Sequence, residues 1–477
     1  LGNCVMVKGM RGLLLTTVHI FSSVCQISDP SVCLFEQYCP KGVSRQVRSI
    51  LHSLDRMRSS EAYGYVGAVV NEVGRILDQA WTLIQANDGR NVLTILEAIT
   101  KEYMAEWENL DDSDGEASDF FTDLAAAWAE AFFSVDLTQQ ERQSWAKQLE
   151  SWQEELDDYG IDDGFAMAST AALQGWDDPD LVRVLQGTIP EKGARDDETW
   201  DDEAREYADD LAKARLNVLE RRGHWQEYLY LAQAENQVQA SATMLVRLGR
   251  IQEAVTYGLT NLRTPEVALA LAKALFEHNE QEYGLHIAEH GLTLEGFKAP
   301  LAKWVRDQAV AMGKQELALT SAEMAFREEV SLDNYLHVTQ TAGEQWPQLR
   351  GVLLDYARQK KSSYPQGQVD VFLHEGLIDD AIAALEPYAS HTLVERVVDA
   401  ALTSRPDWAL QACREQAESI MDSGRAQYYD AAANWREKAR KAYHVMSREQ
   451  EWRVYLNELL NRHGRKYKLI PMLKALQ

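Results

Sequence analysis

The sequence predicts an all-α protein: an α-solenoid of stacked helical hairpins (TPR-like) preceded by an N-terminal helical domain. Three observations predict it. Apolar residues recur at helical spacing along most of the chain, as at Val47, Ile50, Leu51, Leu54 and Met57. Only 11 Pro and 27 Gly occur in 477 residues, too few for a many-stranded, turn-rich β fold. Beyond residue 200, breaks containing Gly or Asn return about every thirty residues, the period of helical-hairpin repeats.

A chain of 477 residues is too long for one compact core, so several domains or an elongated repeat are expected. The formal net charge is −26. Such a chain is repelled as a whole by nucleic-acid phosphates and anionic membranes, so any nucleic-acid contact needs a local basic patch. No stretch has the 18 uninterrupted apolar residues of a membrane span. The body carries a single cysteine, Cys413, in an apolar helical stretch that reads as a small buried hydrophobe. With no disulfide framework, a reducing, cytoplasmic setting is expected.

Residues 1–40 differ in composition from the helix-patterned body. They are nearly free of charge and hold the other four cysteines, Cys4, Cys25, Cys33 and Cys39. Lys8 and Arg11 before the apolar run Leu13–Val24 outline a signal peptide, yet Thr16, Thr17 and His19 interrupt the run. Cys25, Cys33 and Cys39 could be zinc ligands, but they lack the close C-x2-C knuckle, and His19 is the nearest histidine. The abrupt change of composition and the initial Leu favour a non-native or disordered segment.

Residues 41–190 read as the N-terminal helical domain. Val66, Val69, Val70, Val73, Ile76, Leu77 and Ala80 share one helix face; Asn87-Asp88-Gly89 breaks it, and Val92, Leu93, Leu96, Ile99 and Tyr103 start the return helix. Asp111-Asp112-Ser113-Asp114-Gly115-Glu116 invites a calcium-loop reading, but Phe120 and Phe121 put the register wrong, and a solvated linker is expected. Thr138-x-x-Glu141 is a capping box. Trp145, Leu149, Trp152 and Leu156 then form a core stripe. Residues 191–210 are the most acidic window and read as a linker.

Residues 211–477 read as the repeat. Breaks fall at Gly223, Gly249, Asn279, Gly313, Gly343 and Gly376. Four have a small residue five places on: Ala254, Gly284, Ala318 and Ala381. Gly or Asn suits the left-handed position that ends a helix, and the small residue lets the next helix approach. Thr264-Pro265 is a helix start with Thr as N-cap and Pro at N1. From about Gly424 the charge reverses, and Ser447-x-x-Gln450 reads as a second capping box. Arg462, Arg465, Lys466 and Lys468, interleaved with Tyr467, outline a patch for an anionic partner. A capping hairpin with solvated or paired cations is the plainer reading.

No catalytic constellation, phosphate loop or complete metal site is found. His286 and His290 sit four apart on one helix without a third ligand, so a surface or partly buried pair is expected.

The chain resembles the SWIM zinc finger family proteins of bacteria over roughly residues 43–477. The resemblance is carried by Tyr428-x3-Ala432, Arg440-Lys441-Ala442-Tyr443, Glu451-Trp452-x2-Tyr455-Leu456 and His463-Gly464-Arg465-Lys466. Upstream it is carried by Val47-Arg48-Ser49-Ile50-Leu51, Trp128-Ala129-Glu130-Ala131, Glu141-Arg142-x2-Trp145 and Gly175-Trp176. It implies a zinc-binding C-x-C…C-x-H module ahead of a helical body. Cys25, Cys33 and Cys39 form neither a C-x-C pair nor a C-x-H, so zinc is implied for the family's module and for no residue of this chain. The expected function is a non-enzymatic scaffold for a protein partner, with no cofactor. The alternatives are a nucleic-acid-associated factor acting through the basic C-terminus and an enzyme of unrecognised type.

Overall fold

The computed structural model describes residues 40–55, 63–86, 88–161, 164–188, 208–385 and 390–475. The atypical head with Cys4, Cys25, Cys33 and Cys39, and acidic residues 191–207, lie outside the described residues. Among the described residues every regular element is helical. Contacts divide the chain into two compact units, Leu1–Gly249 and Arg250–Gln477.

In the first unit, helices α1 (Pro40–Leu51), α2 (Val66–Gln85), α3 (Gly89–Glu106), α4 (Glu116–Ser134), α5 (Gln139–Asp157) and α6 (Ala166–Gln174) enclose an aromatic core. Trp128, Tyr103, Phe121, Phe133 and Phe165 are fully buried in it. Each polar tip finds an acceptor, as buried Tyr and Trp require. The Tyr103 hydroxyl donates to the Ala117 carbonyl at 2.8 Å, and Trp128 Nε1 donates to Thr100 Oγ1 at 3.0 Å. Trp145 and Trp152 pack beside Trp128 at 5.1 and 6.2 Å between ring centroids, so the tryptophan stripe is core. The Thr138 capping box forms: Glu141 N–H donates to Thr138 Oγ1 at 3.3 Å, and Thr138 N–H donates to Glu141 Oε2 at 2.8 Å.

The acidic turn before α4 is a helix entry. Asp112 accepts from the backbone N–H groups of Ala117 and Ser118 at 2.7 and 3.2 Å, satisfying two of the first-turn donors. Gly115, at φ +79°, makes the bend that allows this.

The unit continues through α7 (Pro179–Leu185), α8 (Ala208–Arg222), α9 (Trp225–Ala234) and α10 (Val238–Arg247). The sequence places a boundary at the acidic window and gives α8 to the repeat. In the structure α8 completes the first core, where Leu211, Ala214 and Val218 are buried. Beside that buried stripe it fixes Glu130 of α4, which is buried: Asn217 Nδ2 donates to it at 2.6 Å, and Arg221 pairs with it. Contacts separate only after Gly249.

The second unit is an α-solenoid of stacked hairpins: α11 (Ile251–Asn261), α12 (Pro265–Glu277), α13 (Gln281–Thr293), α14 (Ala299–Ala311), α15 (Gln315–Glu328), α16 (Leu332–Ala342), α17 (Trp346–Gln359), α18 (Gln366–His374), α19 (Ile378–Ala383), α20 (His391–Ala401), α21 (Pro406–Asp422), α22 (Tyr429–Val445), α23 (Glu449–Arg462) and α24 (Leu469–Lys474). The breaks work as the sequence suggests. Asn279, Gly313 and Gly376 all have φ of 63–70°. At Asn279 its amide reaches the Phe276 carbonyl at 3.0 Å and that of Glu280 reaches Leu275 at 2.9 Å, a paired closure repeated at Gly313 and Gly376.

The small residues after the breaks set the helix spacing. Ala318 and Ala381 are buried. A Cβ at Gly284 would strike the Phe276 ring and lie 3.0 Å from the Ala272 carbonyl. Gly258 and Gly291 are further close-approach points inside helices: a Cβ at Gly258 would sit 2.6 Å from Leu271, and one at Gly291 2.8 Å from Leu301.

Two local readings are corrected. Ser447 is not an N-cap: at φ +56° it ends α22, and α23 begins after Arg448 with no side-chain cap. Its amide reaches the His444 carbonyl and that of Arg448 reaches Tyr443, so Ser447 takes the place Gly holds elsewhere. Gly343 does break the chain, but at ψ −121° it leads into a short 3-10 turn, not a left-handed cap.

Candidate functional site at the basic C-terminal cap

Residues 424–477 carry twelve Lys and Arg against five Asp and Glu, leaving 36 against 69 for the rest of the chain. This segregation singles out the last hairpin. Its core is built by Trp435 and Tyr443 of α22, Trp452, Tyr455 and Leu459 of α23, and Leu469 and Leu473 of α24, packed on α21.

Glu418, on α21, is the hub of the charges around that core. Its carboxylate accepts from the Tyr455 hydroxyl at 2.7 Å. Arg462 Nη1 lies 3.4 Å from it, and Arg414 and Arg436 each approach to 3.8 Å. The Arg414 and Arg436 guanidinium carbons lie 4.2 and 4.7 Å from the Tyr455 ring centroid, within cation–π range. One carboxylate therefore serves three guanidinium groups.

Arg436 is fully buried, and its guanidinium nitrogens have no hydrogen-bond partner among the protein atoms. Burial pushes the guanidinium down to about 10, against the opposing pull of Glu418. His463 is buried beside it, with Nε2 3.8 Å from Asp422. Burial, and then the Lys466 ammonium, hold its imidazole below the ordinary histidine value.

The four patch residues separate into two pairs. Lys466 turns inward and donates to the Met421 carbonyl at the end of α21, where a cation also meets the negative end of the helix dipole. Arg462 leans on Glu418 while remaining 57% exposed. Arg465 and Lys468 are exposed and have no ion-pair partner among the described residues. Tyr467 between them is 89% exposed.

The other candidates resolve simply. His286 is exposed and His290 half-buried, and no group of three or more His, Cys, Asp or Glu among the described residues could hold a metal ion. Cys413 is buried, and burial pushes its thiol up to about 12, which suits a packing role and disables it as a nucleophile. A hollow of about 430 Å³ lies beside Lys360, Tyr364 and Asp370. Its Lys360 ammonium is held by the Arg327 and Glu328 carbonyls at 2.6 and 2.9 Å, and Asp370 pairs with Arg396.

No family model matches the chain, and no curated protein matches it significantly. Among solved structures it is similar to a circular tandem repeat protein with novel repeat topology and enhanced subunit contact surfaces. Identity is 14%, over 93% of this chain and 96% of that one, and the TM-score is 0.19, too low to carry an argument. Among the described residues no helix is long and apolar enough to cross a membrane.

Sequence reasoning missed Glu418 and Arg436. Glu418 looks like any surface acid on a helix. Arg436 sits between Trp435 and Glu437 with nothing to mark it as buried. One signal was present: Tyr428, Ala432, Trp435, Ala439 and Ala442 define an apolar face, and Arg436 borders its edge.

Proposed function

We propose that this chain is a non-enzymatic helical-repeat scaffold that holds a protein partner on its second unit. The observation that carries the reading is the row of hairpins from α12 onward. Each buries one face against its neighbours and leaves the other to solvent, the arrangement by which solenoids present extended binding surfaces. Exposed apolar side chains interrupt that polar surface: Phe297, Val310 and Val352 are each more than half exposed. The resemblance to the helical body of SWIM zinc finger proteins is consistent with a scaffold that accompanies a recognition module, in the cytoplasm and without a cofactor of its own.

Direct nucleic-acid binding is the weaker reading. Two of its four patch cations, Lys466 and Arg462, are engaged inside the cap, and the rest of the chain is strongly acidic.

The test is cross-linking mass spectrometry on the tagged full chain in extract of its host. The scaffold reading expects one protein recovered near stoichiometry, with cross-links concentrated in residues 250–477. Background recovery without such cross-links contradicts it.

A further inference from the structure

The charges of the second unit point to where a partner sits and what its chemistry is. Along the hairpins the exposed cations are mostly spent within the chain. Arg250 pairs with Glu253, Lys303 with Glu329, Lys314 with Glu282, Arg358 with Asp380, Arg396 with Asp370 and Arg405 with Asp379. The cap departs from this habit. Arg453, Arg465 and Lys468 are exposed and have no ion-pair partner among the described residues, while Arg462 shares Glu418 with two other arginines.

Arg453 and Arg465 lie at the two ends of one line, while Arg462 sits on the flank of α23 that faces Glu418. Arg453, Asn457 and Asn461 recur every four residues along the exposed side of α23, and Arg465 comes four places on, in the turn after it. Val454, 60% exposed, borders the line, and Tyr467 lies at its end.

We infer that this face of the cap docks an acidic segment of a protein partner, one that alternates carboxylates with apolar side chains. The inference rests on the scaffold reading and specifies its partner. Carboxylates match the unpaired guanidinium groups of Arg453 and Arg465 in fork geometry. Apolar partner side chains cover Val454 and Tyr467, as interface cores require. A nucleic acid fits less well: Glu449, Glu451 and Glu458 interrupt α23, and an extended polyanion meets the acidic body beyond the cap.

The experiment is fluorescence anisotropy on the full chain with two labelled probes: a synthetic peptide of alternating Glu and Leu, and a single-stranded oligonucleotide of equal length. The peptide is expected to bind, to weaken as salt rises from about 50 to about 200 mM, and to bind more tightly than the oligonucleotide. The double variant R465E/K468E is expected to weaken peptide binding by more than about tenfold, since like charges would then face each other. K273E, on α12, is expected to leave binding unchanged; circular dichroism confirms that both variants are folded. No peptide binding at low salt, tighter binding of the oligonucleotide, or equal binding by R465E/K468E overturns the inference. If R465E/K468E still recovers the host partner, the scaffold reading stands and only the cap assignment falls.

Discussion

The Tyr455 hydroxyl donates a 2.7 Å hydrogen bond to Glu418, thirty-seven residues earlier in the chain, and so ties α23 to α21 through the carboxylate that three arginines share. Removing that carboxylate strands Arg436 in the core. Glu418→Ala is expected to lower stability by about 3 kcal/mol, and Tyr455→Phe by about 1 kcal/mol. Arg436→Met should be neutral or stabilising, because a hydrophobe of similar length replaces a desolvated charge with poor geometry. Urea unfolding of the three variants checks this. A loss above about 2 kcal/mol for Arg436→Met would show that its charge is well compensated.

Helix spacing supplies a second expectation. Gly284→Ala places a methyl against the Phe276 ring and should cost about 1–3 kcal/mol by overpacking. Gly351→Ala, inside α17 with open space around its Cβ, should stabilise by about 0.5–1 kcal/mol through helix propensity. Thermal unfolding of the pair distinguishes the two, and a shift in the same direction for both contradicts the close-approach role of Gly284.

In the first unit, Glu130 is buried between Asn217 and Arg221. Arg221→Ala leaves that carboxylate without its cation and should cost about 3–5 kcal/mol. Chemical denaturation monitored by tryptophan fluorescence reads it; a loss below about 1 kcal/mol would place the pair among weak surface bridges.

Acid should loosen the cap through His463. The groups facing it are Asp422 from α21, Arg436 from α22, and Arg462 and Lys466 from its own end of α23, so cations outnumber the one acid. Its folded imidazole binds a proton less readily than the unfolded one. Below about pH 6.5 the unfolded chain takes up a proton that the folded cap resists, so stability falls as pH falls and is fully present above that value. Hydrogen exchange of α23 and α24 against pH should show this loss in the native chain and a flatter profile in His463→Gln. Identical profiles would show that His463 does not set the acid response of the cap.

The helices and most of their ends are legible in the sequence because local chemistry fixes them: Thr138 with Glu141, Thr264 before Pro265, and Gly313 and Gly376 at left-handed caps. Ser447 misleads because a serine before an acidic turn satisfies the N-cap pattern equally well, and only the paired closure onto Tyr443 and His444 shows it to be a helix end. Asn236, at φ +56°, makes another such end that the Gly-based spacing passes over. The boundary at Gly249 is illegible because α8 has the composition of a repeat helix, while the core and the Glu130 carboxylate it packs against lie far away in sequence. The basic patch is visible as a run of cations, but its division is not. Whether a lysine reaches solvent or the Met421 carbonyl depends on where α21 ends in space.

The central claim, that a protein partner sits on the second unit, is tested most directly by site-specific photo-cross-linking in cells of the host. A benzophenone side chain replaces Tyr467, Val352 or Phe297 in turn, with exposed Leu173 of the first unit as control. A discrete protein adduct of constant mass is expected from at least one of the three positions, absent from the control and, for Tyr467, lost when R465E/K468E is combined with it. No adduct from any of the three beyond that seen at Leu173 would contradict the claim.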